Sequence, residues 1–427
     1  MPWKGVTVSE QRQRFLEDYQ LGYYTIVELA DRFDISPKTA HKWIDRFKQY
    51  GQAGYHELSR RPHSCPWQTD AAIAEELVGL RKAHPSWGPA KLLDVMERRD
   101  PERQLPAVST AAEILRRAGL VKPRRRYRRA HPGCPKSQAE VPNDIWGGDY
   151  KGQFRLKNGN YCFPLTVSDL ASRYVLGVDA HPAISLERTQ QHFRGLFETY
   201  GLPNRIRTDN GVPFASSALG RLSQLSVWFI KLGIYPELIE PGKPNQNGVH
   251  ERMHKTLKQE ATIPPASSLR GQQRRFDEFR EEFNQERPHE ALGMKRPGEV
   301  YRLSARALPK RIEPYEYPGH CLVRRVSRAG TIRVLRRQIF VSNTLQEDYV
   351  GLEEVDDGVY DLYFCFYQIG RYDLKENRIR DIVSRVGVSR RQVDLASRVL
   401  PMSPECTIRS ANHSLERTQP QRENGME

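Results

Sequence analysis

Cysteine is scarce and scattered in this 427-residue chain: six residues, Cys65, Cys134, Cys162, Cys321, Cys365 and Cys406, with no Cys-x-x-Cys pair. That pattern argues against a zinc ribbon and against the disulfide framework of a small secreted protein, and it fits reduced thiols in a cytosolic chain. Long apolar runs are missing as well. Nothing approaches the stretch of about 18 apolar residues that a membrane-spanning helix requires, and Met1-Pro2-Trp3-Lys4 does not begin a signal peptide. The expectation is a soluble intracellular protein with no membrane association, in the cytoplasm and close to the nucleoid.

Acidic residues are also outnumbered. Lysine and arginine total 67 against 52 aspartates and glutamates, a formal net charge of +15. An excess of that sign favours a polyanionic partner, because cations that neutralise phosphates release condensed counterions. Simple solubility is the bland alternative. The length allows about two to four domains.

Three helical stretches are expected between residues 9 and 50. Ser9 is placed as a cap for the first, which turns Phe15, Leu16 and Tyr19 inward; Thr25 opens the second, with Val27, Leu29, Ala30 and Phe33 facing the core. Ser36 and Pro37 start a third, whose apolar face is Ala40, Trp43, Ile44 and Phe47. A helix-turn-helix would leave Lys38, Thr39, His41, Lys42 and Arg46 facing DNA. An ordinary three-helix bundle with a solvated basic face is the competing interpretation. Beyond a proline-containing strip at Arg60–Pro66, Asp70–His84, Pro89–Arg98 and Ser109–Ala118 give a second helical unit, and two such units in tandem would read a longer site.

Residues 122–129 hold six cations in eight positions and no acid. Arg124, Arg125, Arg126, Arg128 and Arg129 would serve either as a tether that tracks DNA phosphates or as a solvated linker. Patterning then turns to strands: Asp149 lies on the first, Asn158-Gly159 makes a hairpin turn, and strands follow at Cys162–Ser168 and Tyr174–Asp179. Helices over Leu186–Tyr200 and Ser216–Leu232 flank a short strand at Arg205–Thr208, and an extended piece at Tyr235–Ile239 leads to a helix bearing Glu251. Hairpin strands followed by alternating helix and strand imply a mixed sheet with helices on its faces.

Asp149, Asp209 and Glu251 are spaced by 60 and 42 positions. Carboxylates are hard oxygen ligands, and three of them brought together from two strand ends and a helix can hold Mg²⁺ or Mn²⁺ for phosphoryl transfer. Asn247, Glu251, Lys255 and Lys258 recur at helical spacing, so one stripe would carry a ligand and two phosphate-facing lysines, unless those lysines are merely solvated. Asn210 and Asn247 would position phosphate or cap a helix. Asp144, Asp169, Asp179 and Glu240 are expected in surface or turn roles, and His250 and His254 are set aside as ligands because hard Mg²⁺ selects oxygen; His250 is expected at most to orient a ligand or approach DNA.

Trp146-Gly147-Gly148-Asp149-Tyr150, Thr208-Asp209-Asn210-Gly211 and Asn247-Gly248-Val249-His250-Glu251-Arg252 resemble the catalytic core of DDE insertion-sequence transposases and retroviral integrases. Phe283-Asn284-Gln285-Glu286-Arg287-Pro288-His289-Glu290-Ala291-Leu292-Gly293 is similar to the motif that follows that core in bacterial transposases. The resemblance spans roughly residues 140–300. It implies an RNase H-like fold, two Mg²⁺ or Mn²⁺ ions held by Asp149, Asp209 and Glu251, and strand cleavage followed by strand transfer, with transposon-end and target DNA as partners and a homo-oligomer as the assembly. Two departures stand out. The step from Asp209 to Glu251 is longer than in retroviral integrases, so an enlarged helix or loop is expected over residues 215–238; and no His-His-Cys-Cys zinc module precedes the core.

Past Pro309, Pro314 and Pro318, β patterning returns, with a hairpin at Asp357-Gly358, and suggests a small barrel that would grip DNA through Arg324, Arg325, Arg328, Arg333, Arg336 and Arg337 or else mediate protein assembly. A helix over Ile379–Leu400 and a disordered end complete the chain. The expected organisation is therefore a multidomain α/β protein: a helix-turn-helix domain at 1–58, a second helical DNA-binding domain at 69–121, a basic linker at 122–139, a mixed-sheet catalytic core at 140–300, a small β-barrel at 318–375 and a tail at 376–427. A transposase fits best; a DNA-binding regulator with an inactive core and an RNase H-like nuclease without strand transfer are the alternatives.

Overall fold

The structure, a computed structural model, describes residues 7–57, 68–121, 137–240 and 244–381. The basic strip with Arg124, Arg125, Arg126, Arg128 and Arg129, the proline-containing strip and the tail beyond residue 381 lie outside these. The chain divides into two compact units, Met1–Asp70 and Ala71–Glu427.

In the first unit, α1 (Val8–Leu21), α2 (Ile26–Arg32) and α3 (Pro37–Tyr50) pack around Phe15, Leu16, Leu29, Ala30, Ala40, Trp43 and Ile44. The first helix starts earlier than Ser9. Thr7 and Glu10 form a reciprocal capping box that satisfies two otherwise orphaned donors, and Thr25 with Glu28 repeats it on α2. Val27 faces water rather than the core, 66% exposed, because it lies off the stripe formed by Ile26, Leu29, Ala30 and Phe33.

The second unit opens with α4 (Ala71–Ala83), α5 (Pro89–Arg99) and α6 (Val108–Arg117), closed around Leu77, Trp87, Leu92, Met96 and Leu115. Its central sheet contains β1 (Ile145–Tyr150), β2 (Phe154–Arg155), β3 (Tyr161–Asp169), β4 (Val175–His181), β5 (Arg205–Thr208) and β6 (Tyr235–Leu238). The order is β2-β3-β1-β5-β6, with β4 also on β3. β1 runs antiparallel to β3 and parallel to β5, which in turn runs parallel to β6. One side chain cluster joins the sheet to α7 (Leu186–Tyr200) and α8 (Gln224–Lys231) through Phe193, Phe197, Trp228 and Phe229. A second joins it to α9 (Gly248–Ala261) and α10 (Leu269–Glu281) through Met253, Leu257, Phe276 and Phe279.

The helix expected over Ser216–Leu232 is shorter. Gly220 and Arg221 adopt positive φ values of 63° and 56°, which no right-handed helix accommodates, so α8 begins only after Ser223 caps it. The long interval before Glu251 is thus filled by a loop, α8 and β6 rather than by one enlarged helix.

The second helical unit is not a free module on a tether. His84 Nδ1 lies 2.7 Å from Glu282, Arg98 pairs with Glu299 at 2.6 Å, and Ser86 donates to Glu260, which also receives Arg287 at 2.7 Å. These bonds dock α4–α6 onto α9 and the segment after α10. The latter holds the Phe283–Gly293 motif, whose residues therefore have structural roles: Phe283 is core, and Asn284 bonds both backbone groups of Val175.

At the C-terminal end, β10 (Tyr349–Asp356), β11 (Val359–Phe364), β12 (Tyr367–Asp373), β13 (Arg378–Asp381) and β7 (Leu322–Arg325) form a five-stranded antiparallel sheet, and β8 (Thr331–Val334) pairs with β9 (Arg337–Phe340). They share one core with Leu222, Val227 and Ile230, which fixes this region against α8. Ile379 lies in β13, so the helix expected to start there does not; residues 382–400 are outside the described residues. Arg325 and Arg328 both pair with Glu347, which partly neutralises the expected basic surface.

Candidate active site

Register brings the two aspartates together. Gly148 on β1 is aligned with Thr208 on the parallel neighbour β5. The next residue on each chain, Asp149 and Asp209, therefore emerges at the same end of two adjacent strands, which lie about 4.8 Å apart in any sheet. Close packing beneath favours glycine: a Cβ on Gly148 would stand 3.1 Å from the Phe193 ring, and one on Gly147 3.1 Å from His250. Glu251 sits exposed in the first turn of α9.

Charge links all three. The Asp149 carboxyl is pushed up to about 7, first by burial and then by the charge of Asp209, with Glu251 adding to it and Lys151 opposing it. Asp209 Oδ1 accepts from the Gly211 amide at 3.0 Å, an Asx turn that aims the side chain. Among the described residues no three His, Cys, Asp or Glu side chains already form a metal cage. The chemistry of these groups suits a hard divalent cation: Asp209 and Glu251 both disfavour the charged form of Asp149, an electrostatic cost that a cation would reverse.

Asn210 is a clamp, not a cap. Its Nδ2 donates to the Ile239 carbonyl at 2.7 Å and its Oδ1 accepts from Arg221 at 2.7 Å, which secures the loop after β5. Lys255 and Lys258 share the exposed side of α9 with Glu251, whereas Asn247 is buried and so departs from the expected stripe; among the described residues its Oδ1 has no hydrogen-bond partner. His250 and His254 are buried too, so His250 does not approach DNA from this helix. Burial lowers the His250 pKa to about 3 and lowers that of His254 as well. Of the competing acids, Asp144 accepts the amides of Glu140 and Val141, and Asp169, fully buried, accepts those of Asn143 and Ser172. Asp179 pairs with His192 at 2.7 Å, and Glu240 accepts from Gln246 at 3.0 Å.

A buried ion pair steadies the strand and the helix lead-in together. Arg207, two residues before Asp209, pairs with Glu237 at 3.1 Å and donates to the Gln246 carbonyl at 3.0 Å and the Ser137 carbonyl at 2.7 Å. In the first unit, Lys38, His41 and Lys42 are exposed on α3. Thr39 is partly engaged, its hydroxyl 2.8 Å from that of Ser36. Arg46 is half-buried and folds back over the Trp43 ring at 4.8 Å, beside Arg12 at 3.9 Å and Lys42 at 5.4 Å.

Residues 139–244 match the integrase core domain family, and residues 232–297 match a second integrase core domain family. Between them they cover Asp149, Asp209 and Glu251 in one continuous region. The insertion element IS407 uncharacterized 31.7 kDa protein of Burkholderia multivorans is 26% identical over 250 residues, 55% of this chain and 82% of that protein. These matches support an insertion-sequence transposase of the integrase superfamily. The insertion element IS476 uncharacterized 39.2 kDa protein of Xanthomonas euvesicatoria is 27% identical over 56% of this chain and 68% of its own length. Residues 11–63 match a helix-turn-helix domain and 39–115 a homeodomain-like domain. Together the matches support a nucleic-acid-processing enzyme with helix-turn-helix modules for DNA. Similar solved structures include the HTLV-2 integrase catalytic core domain in complex with magnesium, at 19% identity, TM-score 0.32, covering 39% of this chain and 100% of that one. Another is the simian T-cell lymphotropic virus intasome in complex with PP2A regulatory subunit B56 gamma, at 15% identity, TM-score 0.34, covering 68% and 97%. Among the described residues no helix is long and apolar enough to cross a membrane.

Sequence reasoning passed over Lys151, Thr166 and Arg207. Lys151 could have been noticed two positions beyond Asp149. Thr166 and Arg207 carry no local signal, since their partners lie 17 to 88 residues away.

Proposed function

We propose that this transposase binds the terminal inverted repeats of its element, cleaves DNA phosphodiesters there and joins the resulting 3′-OH ends to target DNA. The observation that carries this is the emergence of Asp149 and Asp209 side by side from adjacent parallel strands, with Glu251 close enough for its charge to act on Asp149. Asp149, Asp209 and Glu251 would hold Mg²⁺ or Mn²⁺, and two ions suit in-line displacement because they stabilise the attacking and the leaving oxygen together. The protein's own contribution is placement. β1 and β5 fix two ligands at one sheet end, Arg207 steadies the approach to α9, and α9 turns Lys255 and Lys258 outward where a DNA backbone would pass.

The chemistry balances without a covalent protein intermediate. Water attacks the phosphorus at the transposon end, the P–O3′ bond breaks, and a 3′-OH and a 5′-phosphate remain. That 3′-OH attacks a target phosphodiester and displaces a target 3′ oxygen, so one phosphodiester replaces another. Two ends must meet in one event, which calls for a homodimer or larger assembly. Labelled terminal-repeat DNA, plasmid target and Mg²⁺ test the proposal: joined products are expected, cleavage alone would make the chain a nuclease, and binding alone a regulator.

A further inference from the structure

Part of the Phe283–Gly293 motif is not explained by packing. Arg287 is buried, and its Nη1 donates to Glu260 on α9 at 2.7 Å and to the Ser86 hydroxyl, ahead of α5, at 3.2 Å. Two residues on, the His289 ring lies against Phe283 with centroids 4.8 Å apart, and its Nε2 is buried without a hydrogen-bond partner among the described residues. Asn284 ties the same motif to Val175 at the start of β4, and Arg173 stands two positions before that contact. The Arg173 backbone is left-handed, with φ 65°, which L residues rarely adopt. Its Nη1 is buried too, again with no partner among the described residues.

Lys91, in the first turn of α5, completes the cluster, and its ammonium makes no hydrogen bond or ion pair among the described residues. Burial and then the charge of Arg287 lower it to about 8, against the opposing charges of Glu290 and Glu260. The His289 ring falls to about 3, first through burial and then through Lys91, Arg287 and Arg173, so cations from three separate segments act on one ring. The acids nearby are engaged or in water: Asp169 accepts the amides of Asn143 and Ser172, Glu260 holds Arg287 and Ser86, and Glu290 is exposed. A buried guanidinium nitrogen without an acceptor carries a free-energy penalty that an anion would relieve.

We propose that Lys91, Arg173 and Arg287 form a binding site for a backbone phosphate of DNA at the joint between α4–α6 and the catalytic core. Guanidinium and ammonium groups suit phosphate oxygens, and a phosphodiester supplies the acceptors that Arg173 and Lys91 lack. The donors come from α5, the β3–β4 connection and the segment after α10, so the site is complete only while the second helical unit is docked. Grip on DNA is thereby coupled to the placement of α9, because Glu260 and Glu251 share that helix. A free phosphate would meet the same donors. Continuity with the exposed, charged side of α9, where Arg252 stands close enough for its charge to act on Arg173 after burial has done so, favours a DNA strand. The inference rests on the reading of the chain as a transposase.

The test is a methylphosphonate scan of a terminal-repeat duplex, in which one backbone phosphate at a time is made neutral, read as binding by the full chain beside thermal melts without DNA. Neutralising one position should weaken wild-type binding about 10-fold, yet leave Arg173→Gln combined with Lys91→Gln nearly unchanged, since that variant has already lost the contact. Each single variant should lower the slope of log affinity against log salt by about 1. Without DNA neither should melt below wild type, because neither cation has a partner to lose; a purely structural role would lower the melting temperature instead. If wild type binds the duplex and every neutralised position weakens the double variant as much as wild type, the site is refuted while the transposase reading stands. If inorganic phosphate raises the melting temperature of wild type but not of Arg173→Gln, and the scan shows no such position, the site takes free phosphate and the DNA assignment falls. If wild type does not bind the duplex, both fall.

Discussion

The two sides of α9 differ in almost every physical respect. Outward, Glu251, Arg252, Lys255 and Lys258 are exposed and charged; inward, His250, Met253, His254 and Leu257 are buried, the two histidines in a cluster of bonds and the other two in a cluster of apolar contacts that grip the sheet. The difference teaches where tolerance should lie. A helix whose charged side does chemistry and whose buried side sets position should lose activity without stability when cut on one side, and stability before activity when cut on the other.

The largest effect expected is on the outward side. Glu251→Gln keeps the shape and removes the charge, so end cleavage should fall on the order of 10³-fold or more while the melting temperature stays within a few degrees. A parallel loss of melting temperature would mean that Glu251 holds the fold. The inward support comes next: Arg207→Met leaves Glu237, which is 2% exposed, without its cation, and denaturant unfolding should show a loss of about 3–5 kcal/mol. Leu257→Ala empties fully buried space against Phe276 and Phe279 and should cost about 2–5 kcal/mol, with cleavage per folded molecule nearly unchanged. Smallest is Lys258→Ala, which should weaken DNA binding uniformly across sequences and lower the slope of log affinity against log salt by about 1. An unchanged slope would leave Lys258 merely solvated.

Much of this division was legible in the chain. The spacing of Glu251, Lys255 and Lys258 placed them on one helical stripe, and Arg205–Thr208 and Leu186–Tyr200 read correctly as strand and helix because their apolar periods are clean. Asn247 misled, because its spacing matched the stripe while its surroundings buried it. What failed was whatever depends on pairing. No local pattern reveals that Gly148 aligns with Thr208, or that Thr166 lies across from Asp149, since register is settled by contacts between distant segments. Val27 and the shortened α8 failed for a different reason: a two-turn helix and a positive-φ bend leave too short a period to read. The docking of α4–α6 was equally hidden, as His84, Ser86 and Arg98 have no signature until Glu282, Glu260 and Glu299 stand opposite them.

The central claim is that Asp149, Asp209 and Glu251 act as one cation-holding set. Asp209→Asn tests it most directly, because the substitution keeps the volume and leaves an amide oxygen that can still accept from Gly211. Labelled terminal-repeat DNA should be bound by this variant with wild-type affinity, yet neither cleaved nor joined to plasmid at any Mg²⁺ or Mn²⁺ concentration. Cleavage at the wild-type rate by Asp209→Asn would contradict the account.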